Sequence, residues 1–394
     1  MHSSRRTSKE ISPLTRQFPR KLSASAVAVA GMLAIMPSTF AASRLTVAPS
    51  TLSIRTVSMK TSHIGWAVTK TAIMRTTDGG RRWENVSPPI PLDTASSSYL
   101  RRTPVWDFLN TRSAWVVAAT DHAHQVKCSY THDGGAHWKT FTSTLPTQKM
   151  PLAILGEADF VNSRDGWLVF GPAGVAGVDE LYATTNGGRS WHHLARNTPL
   201  VGPVFFTTTN IGWMTISEPF NGHGPLFTIE STRNGGRHWT ISTMKSVNGL
   251  QTIANMTASG MHDLQPTFTV GTTRNPYVAV LRSADGGRRW GAMSPRLSVN
   301  PRDFWSVQTV GGTVAIAIAS GRLWTSTNGA RSWAYRSADA FLNHVTGLDF
   351  VNAQVGWVWK TTASGTRWWM TTSGGRRWTT WGSTLWQPND GARH

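Results

Sequence analysis

Acidic residues that stand outside the repeated phrases of this sequence are its candidates for catalysis. A pair of carboxyl groups can hydrolyse a glycosidic bond, one acting as general acid and the other as base or nucleophile. Asp179, Glu180 and Glu218 are the best candidates, because they lie in insertions that a repeat fold could direct toward its centre. None of these acids has a diagnostic spacing, so the sequence does not predict an enzyme.

Histidine and cysteine give no clear metal or redox site. His122 and His124 alternate as two ligands on a strand would, but no third ligand is evident. Cys128 is the only cysteine, so the fold cannot depend on an internal disulfide. We therefore expect no cofactor and no metal.

A group of arginines offers chemistry of another kind, the binding of anionic partners. Each arginine follows the glycines of a recurring turn, so that in a repeat fold all of them would lie on the rim of one face. The structural alternative is that their stems cover the neighbouring tryptophan or pair with the acids of the turn. The predicted partner-binding residues are Arg81, Arg82, Arg189, Arg237, Arg288, Arg289, Arg331, Arg376 and Arg377.

The turn itself recurs seven times, with its closing tryptophans 43 to 55 residues apart. Such a period indicates a repeat architecture. The copies are TTDGGRRW (76–83), THDGGAHW (131–138), TTNGGRSW (184–191), TRNGGRHW (232–239), SADGGRRW (283–290), STNGARSW (326–333) and TTSGGRRW (371–378).

A second phrase precedes most copies of the turn. It reads DFLNTRSAWVV (107–117), DFVNSRDGWLVF (159–170), FFTTTNIGWMTI (205–216) and DFVNAQVGWVWK (349–360), and the fifth and sixth units keep only fragments. Its short apolar runs are rich in Val, Thr and Trp, which favours strands. Each unit predicts four short antiparallel strands, with the turn between the third and the fourth. The sequence therefore predicts an all-β fold, a seven-bladed β-propeller of four-stranded antiparallel blades.

Individual residues of the turn have predicted structural roles. The Asp, or the Asn or Ser that replaces it, can accept backbone N–H groups, and the second Gly can take a positive φ. Ala330 replaces that Gly in the sixth copy, so we expect this turn to be the most distorted. Ring closure requires the chain ends to meet, and we expect Leu45–Val47, or else Leu385–His394, to complete the last blade.

The N-terminal segment is typical of an export signal. Six basic residues precede the apolar run LSASAVAVAGMLAIM (22–36), and small residues follow at Ala41 and Ala42. We predict a signal peptide at 1–42 and a single propeller domain at 43–394. The protein would then be exported, to an extracellular, cell-envelope or thylakoid-lumen-like compartment.

The charge is strongly basic, with a net charge of +19 for the whole chain. This excess indicates either an acidic partner, such as a protein or an anionic envelope surface, or adaptation to an acidic exterior. Nucleic acid is not expected, since export separates the protein from it and no base-stacking motif accompanies the basic residues.

The turns resemble the Asp-box, or bacterial neuraminidase, repeat. Coupled to the D-F-x-N…G-W phrase over residues 44–386, they are similar to the photosystem II assembly and stability factor family and its exported bacterial relatives. The resemblance implies a non-catalytic, monomeric scaffold that binds a protein partner, such as a membrane-protein subunit during assembly. The alternative is a glycan-binding or glycan-hydrolysing propeller of the sialidase type. Sialidases need a Tyr nucleophile with a Glu partner and an arginine triad, and here Tyr130 and Tyr182 precede turns as strand residues.

Overall fold

The protein is an all-β propeller in the computed structural model. The model describes residues 46–92, 104–120, 122, 124–146, 153–172, 180–194, 204–217, 227–241, 243–244, 250–259, 263–271, 276–282, 289–298, 306–310 and 314–381. Seven sheets lie in one compact unit, Arg44–His394. The predicted signal peptide at 1–42 and the tail at Leu385–His394 lie outside the described residues.

The first part of the chain forms four consecutive blades. The strands of blade 1 are β1 (Thr46–Val47), β2 (Ile54–Met59), β3 (Gly65–Thr69), β4 (Ile73–Thr76) and β5 (Trp83–Asn85), with a 3₁₀ turn at Pro49–Thr51. Those of blade 2 are β6 (Val105–Phe108), β7 (Ala114–Ala119), β8 (Gln125–Thr131) and β9 (Lys139–Thr144). Those of blade 3 are β10 (Ala153–Phe160), β11 (Gly166–Pro172), β12 (Glu180–Thr184) and β13 (His192–Leu194). Those of blade 4 are β14 (Val204–Phe206), β15 (Gly212–Ser217), β16 (Phe227–Thr232) and β17 (Thr240–Ile241).

The second part forms one divergent sheet and two further blades. The strands of the divergent sheet are β18 (Thr243–Met244), β19 (Leu250–Ser259), β20 (Asp263–Gly271), β21 (Pro276–Arg282) and β22 (Arg289–Ser298). Those of blade 5 are β23 (Ser306–Val310), β24 (Val314–Ala319), β25 (Arg322–Ser326) and β26 (Ala334–Ser337). A 3₁₀ turn at Ala340–His344 precedes blade 6, with β27 (Gly347–Phe350), β28 (Gly356–Thr362), β29 (Gly365–Thr371) and β30 (Thr379–Trp381).

The prediction of a seven-bladed propeller is wrong, because six sheets are blades built on four consecutive antiparallel strands, the first of them extended by β1, and the remaining sheet departs from this pattern. That sheet has the order β18-β22-β21-β20-β19, and β18 runs parallel to β22. Its strands reach ten residues, and the segment between β21 and β22 that carries the turn sequence lies outside the described residues. The reason is visible in the sequence, since this unit keeps only a fragment, TFTV, of the strand phrase.

Ring closure also differs from the expectation. Thr46–Val47 pairs with β5 and so extends blade 1, not the last blade, whose fourth strand is its own β30. The two ends of the ring meet by packing and side-chain hydrogen bonds. Thr366 Oγ1 accepts the Ile54 N–H at 3.1 Å and donates to Leu52 O at 2.7 Å. Trp83 of blade 1 stacks on Trp368 of blade 6 with centroids 5.7 Å apart.

The core lies between neighbouring blades, and the strand phrase builds it. Phe160 at the end of β10 stacks on Trp115 of the preceding blade at 4.5 Å and meets Trp191 of its own blade edge-on. Gly166, paired with Phe160 across the strands, leaves room for the ring, because a Cβ there would stand 2.4 Å from Phe160 Cδ1. Aromatic pairs of this kind contribute about 0.5–1.5 kcal/mol beyond the area that they bury.

The same arrangement recurs at other blade junctions. Trp66 stacks on Phe108 and Trp167 stacks on Phe206, each ring pair joining one blade to the next. Most of the tryptophans of the repeated phrases that the structure describes are buried or half-buried, as a structural role requires.

Candidate partner-binding face and inner carboxylates

Six corner turns, residues 76–83, 131–138, 184–191, 232–239, 326–333 and 371–378, share one hydrogen-bond pattern. The leading Thr or Ser hydroxyl accepts the N–H of the residue four positions later at 2.8–3.0 Å. The side-chain oxygen at the Asp position accepts another N–H at 2.9–3.0 Å, whether the residue is Asp, Asn or Ser. The predicted acceptor role of this position is confirmed.

The glycines of the corner turns have positive φ, as expected. The second glycine has φ between +84° and +91°, whereas Ala330 at the same position has φ +62°. Ala330 nevertheless keeps its hydrogen bond to Ser326 Oγ at 2.9 Å. The distortion predicted for this turn is therefore confined to the backbone angle.

All six corner turns lie on one face of the propeller, which we call the corner face. In an antiparallel blade, the turn between the first and second strands lies at the same end as the turn between the third and fourth. Hydrogen bonds join the two turns within five blades, where the first corner glycine donates to a carbonyl of the other turn at 2.8–2.9 Å. Gly79 to His63 and Gly134 to Arg112 are examples.

Most of the predicted partner-binding arginines are exposed on this face. The exposed ones are Arg81, Arg82, Arg189, Arg237, Arg331, Arg376 and Arg377. Arg289 begins β22, while Arg288 lies outside the described residues. Arg189 also fits the structural alternative, since its guanidinium donates to Tyr130 Oη at 3.0 Å and lies 4.9 Å from the Phe141 ring centroid. Their role in binding a partner stays a prediction.

The corner face holds three further exposed arginines that the sequence reasoning missed, one of which, Arg233, lies in the corner turn at 232–239. Arg112 and Arg164 lie in the turns between first and second strands of blades 2 and 3. Their backbone carbonyls accept the corner glycine N–H groups, and Arg164 Nε donates to Thr185 O at 3.3 Å. The signal was present, because both follow the Asn of the strand phrase by two residues, in NTR and NSR.

Carboxyl groups on the first strands link neighbouring blades. Asp107 Oδ2 accepts the Phe160 N–H at 2.8 Å, and Asp159 Oδ2 accepts the Phe206 N–H at 2.6 Å. Glu157 Oε2 accepts the Val204 N–H at 2.9 Å. The Asp that precedes Phe in the strand phrase is therefore structural.

A fourth carboxyl group links blade 6, the last blade, to blade 1. Asp349 Oδ2 accepts the Met59 N–H at 2.5 Å, and Asp349 Oδ1 accepts from Gln308 Nε2 at 2.9 Å. Gln308 itself accepts the Phe350 N–H at 2.6 Å. Gln308 thus links blade 5 to blade 6 through a backbone N–H, as Asp107 links blade 2 to blade 3. We call Asp107, Glu157, Asp159 and Asp349 the inner carboxylates.

Burial raises the pKa values of the inner carboxylates. Burial raises the pKa of Asp107 to about 6, against the Phe160 N–H and the Lys60 charge, which lower it. It raises the pKa of Glu157 to about 7, with the Asp107 charge adding to the rise, and the pKa of Asp349 to about 6. Burial and the Asp107 charge hold the pKa of Asp159 well above its usual range.

A corner-turn carboxylate shows the opposite behaviour. Burial raises the pKa of Asp133, but hydrogen bonds from the His137 N–H, the Thr131 hydroxyl and the His137 ring together outweigh it and lower the pKa to about 2. Asp133 therefore stays charged at neutral pH, whereas the pKa values of Asp107, Glu157 and Asp349 lie at about 6, 7 and 6.

The residues that could form a glycosidase site do not assemble one in the described part of the chain. The Tyr182 hydroxyl donates to Glu180 Oε2, and His193 Nε2 lies 4.0 Å from Glu180 Oε1. Tyr182 is fully buried, so its hydroxyl cannot reach a sugar as a nucleophile. Asp179 and Glu218 lie outside the described residues. The described residues also contain no cluster of three metal-binding side chains.

Comparison with known proteins finds similarity to one curated protein and to several solved structures. No protein-family model matches the chain. The chain is similar to the photosystem II assembly lipoprotein Ycf48 of Synechococcus sp. (strain CC9902), with 26% identity over 149 residues that cover 36% of this chain and 40% of the relative. The match thus spans less than half the length of that relative.

Two solved structures resemble the protein over most of its length. A structure of YCF48 bound to D1 peptide has a TM-score of 0.49 and 17% identity, covering 84% of this chain and 93% of that one. A puromycin-hydrolyzing peptidase of Mycobacterium tuberculosis has a TM-score of 0.53 and 11% identity, covering 85% of this chain and 54% of that one. At 11% identity the likeness to the peptidase shows the fold alone. No helix in the described ranges has the length and apolar character needed to cross a membrane.

Proposed function

We propose that the protein is an exported, non-catalytic propeller that binds a protein partner through its corner face, as an assembly or stability factor for a membrane-protein complex. The sequence similarity to a protein named as an assembly lipoprotein supports the class of function. The single observation that supports this face is the set of exposed arginines at equivalent positions of the corner turns.

The chemistry of the face favours an acidic partner. Planar guanidinium groups bind carboxylates in a bidentate manner, and several on one face attract an acidic segment over a distance set by the ionic strength. Arg112 and Arg164 widen the arginine set beyond the corner turns themselves. We propose that the partner is an acidic region of a membrane-protein subunit and that a single copy of the propeller binds it.

A catalytic role has less support from the described geometry. The inner carboxylates Asp107, Asp159 and Glu157 each accept a backbone N–H of the next blade, so they serve the fold. Tyr182, the tyrosine with a glutamate partner, is buried. These observations favour binding over hydrolysis of a glycan.

Affinity capture from the native cell envelope tests the proposal. The full-length protein would be immobilised beside a variant that combines Arg81→Ser, Arg82→Ser, Arg376→Ser and Arg377→Ser. We expect the wild type to capture a membrane-protein subunit from detergent extracts, and the variant to capture about tenfold less at low salt, because rim charges steer association. Fractionation of the same cells should find the protein outside the cytoplasmic membrane.

A matched control uses arginines at the other end of the blades. Arg322 and Arg367 are exposed near the start of third strands, away from the corner face. The double variant Arg322→Ser, Arg367→Ser should capture as much as the wild type. Equal loss in both variants would reject the corner face, and capture of an oligosaccharide in place of a protein would reject the proposed class.

A further inference from the structure

Three inner carboxylates form a continuous link across blades 2, 3 and 4. Asp107 on β6 binds the backbone of β10, and Glu157 and Asp159 on β10 bind the backbone of β14, all at 2.6–2.9 Å. Glu157 and Asp159 are two residues apart on one strand, so they point to the same side and bond to alternate residues, Val204 and Phe206. The three carboxyl groups are therefore fixed close to one another by the fold.

The charges around these groups are unbalanced. Within the described residues, the charges that act on Glu157 and Asp159 are those of other carboxyl groups. Lys60, which follows β2, acts on Asp107 and Asp349. The facing strand β14 contributes Val204, Phe205 and Phe206, none of which titrates. Among the described residues, one lysine therefore acts on several carboxyl groups, which are buried between strands.

Charged carboxylates in this position repel one another and lose hydration. Both effects disfavour the charged form. A protonated carboxyl group still has an acceptor oxygen, so each link to a backbone N–H survives when the proton binds. Protonation removes the repulsion and leaves the hydrogen bonds in place.

We propose that Asp107, Glu157 and Asp159 form a proton-binding lock, which holds blades 2, 3 and 4 together more firmly at acidic pH than at neutral pH. This inference concerns the stability of the ring and is independent of the proposed partner. It is also independent of the corner-face arginines, which belong to other segments of the chain.

The direction of the pH dependence follows from linkage. Burial raises the pKa of Asp107 to about 6 and that of Glu157 to about 7, above their values of 3.8 and 4.5 in an unfolded chain. The folded protein therefore holds more protons than the unfolded chain between about pH 4 and pH 7. The stabilisation is complete below that range and is lost as the pH rises through 6 and 7.

Two histidines act in the opposite direction. Burial and the charge of Lys139 lower the pKa of His132, and burial and the charge of Arg237 lower the pKa of His192. Because both pKa values are lowered in the folded protein, these two histidines reduce its stability as the pH falls through the range in which histidines ordinarily titrate. The pH profile of the wild type alone is a sum of both effects, so the lock must be measured as a difference between variants.

The test compares urea unfolding of the full-length wild type, Glu157→Gln and Asp159→Asn at pH 4.5 and pH 7.5. An amide oxygen can still accept the backbone N–H and carries no charge. At pH 7.5 we expect the unfolding equilibrium constant of each variant to be at least about tenfold smaller than that of the wild type. At pH 4.5 this advantage should disappear.

The control is Asp78→Asn, which replaces a half-buried corner-turn carboxylate that also accepts a backbone N–H, that of Arg82. The ratio of its unfolding equilibrium constant to that of the wild type should be the same at both pH values. A direct reading uses infrared spectroscopy of the folded wild type at pH 5.5, where buried protonated carboxyl groups give a carboxylic-acid band, and this needs no variant to fold. Variants that show the same ratio at both pH values, or a wild type without that band, would overturn the proposal.

Discussion

Ala330 shows at the scale of single residues how two small energies oppose each other. A positive φ costs alanine about 1 kcal/mol relative to glycine. The Ala330 methyl is buried beside Leu297, Val307 and Ala317, which recovers about 0.8 kcal/mol. The turn can therefore keep an alanine where the other described copies have glycine, and the sequence could not show this because burial of the methyl is a tertiary effect.

We predict that Ala330→Gly changes the free energy of unfolding by less than about 0.5 kcal/mol, because the two terms nearly cancel. Gly188→Ala should instead destabilise by about 2–4 kcal/mol, from the positive φ and from overpacking. Its new Cβ would stand 2.3 Å from Cys128 Sγ at φ +86°. Urea unfolding measures both variants, and similar effects in the two would contradict this account.

At the scale of the element, the strand phrase couples each blade to its neighbours. Its Asp accepts an N–H of the next blade, and its Phe stacks on the Trp of the preceding blade. Its Gly leaves room for the ring of the Phe. The sequence could predict strands, turns and a structural Asp from repetition alone. It could not predict the link through Gln308, because this glutamine lies outside the phrase and reaches the Phe350 N–H through its longer side chain.

Phe160 allows a direct measurement of the coupling between blades. We expect Phe160→Ala to destabilise by about 3–5 kcal/mol, since it leaves a cavity between Trp115 and Trp191. Phe160→Leu fills most of that space and loses the aromatic pair, so about 1–2 kcal/mol is expected. Denaturant unfolding with tryptophan fluorescence measures both, and a Phe160→Leu variant as stable as the wild type would show that the stacking contributes nothing.

At the scale of the whole molecule, the local repeats predicted neither the number of blades nor the way in which the ring closes. The divergent sheet gains β18 from the segment that follows blade 4, and pairs it parallel to β22. Thr46–Val47 extends blade 1. Both depend on which strand edge lies within reach after folding, and a repeat pattern contains no information on that. The corner-face arginines were predictable because the turn fixes their place, whereas Arg112 and Arg164 required the antiparallel topology.

The junction between the ends of the ring should respond as a unit. Thr366 is buried and bridges the backbone of Leu52 and Ile54. Thr366→Val keeps the shape but leaves the Ile54 N–H without its acceptor, so we expect a loss of about 1–3 kcal/mol. Thr366→Ser, which keeps the hydroxyl, should lose less than about 1 kcal/mol.

Because β2 and β29 stabilise each other across this junction, amide hydrogen exchange in both strands should accelerate about tenfold in the valine variant, while blade 3 stays unchanged. Faster exchange in β2 alone would mean that blade 6 holds its structure without the first blade, and that the ring is not closed by these contacts.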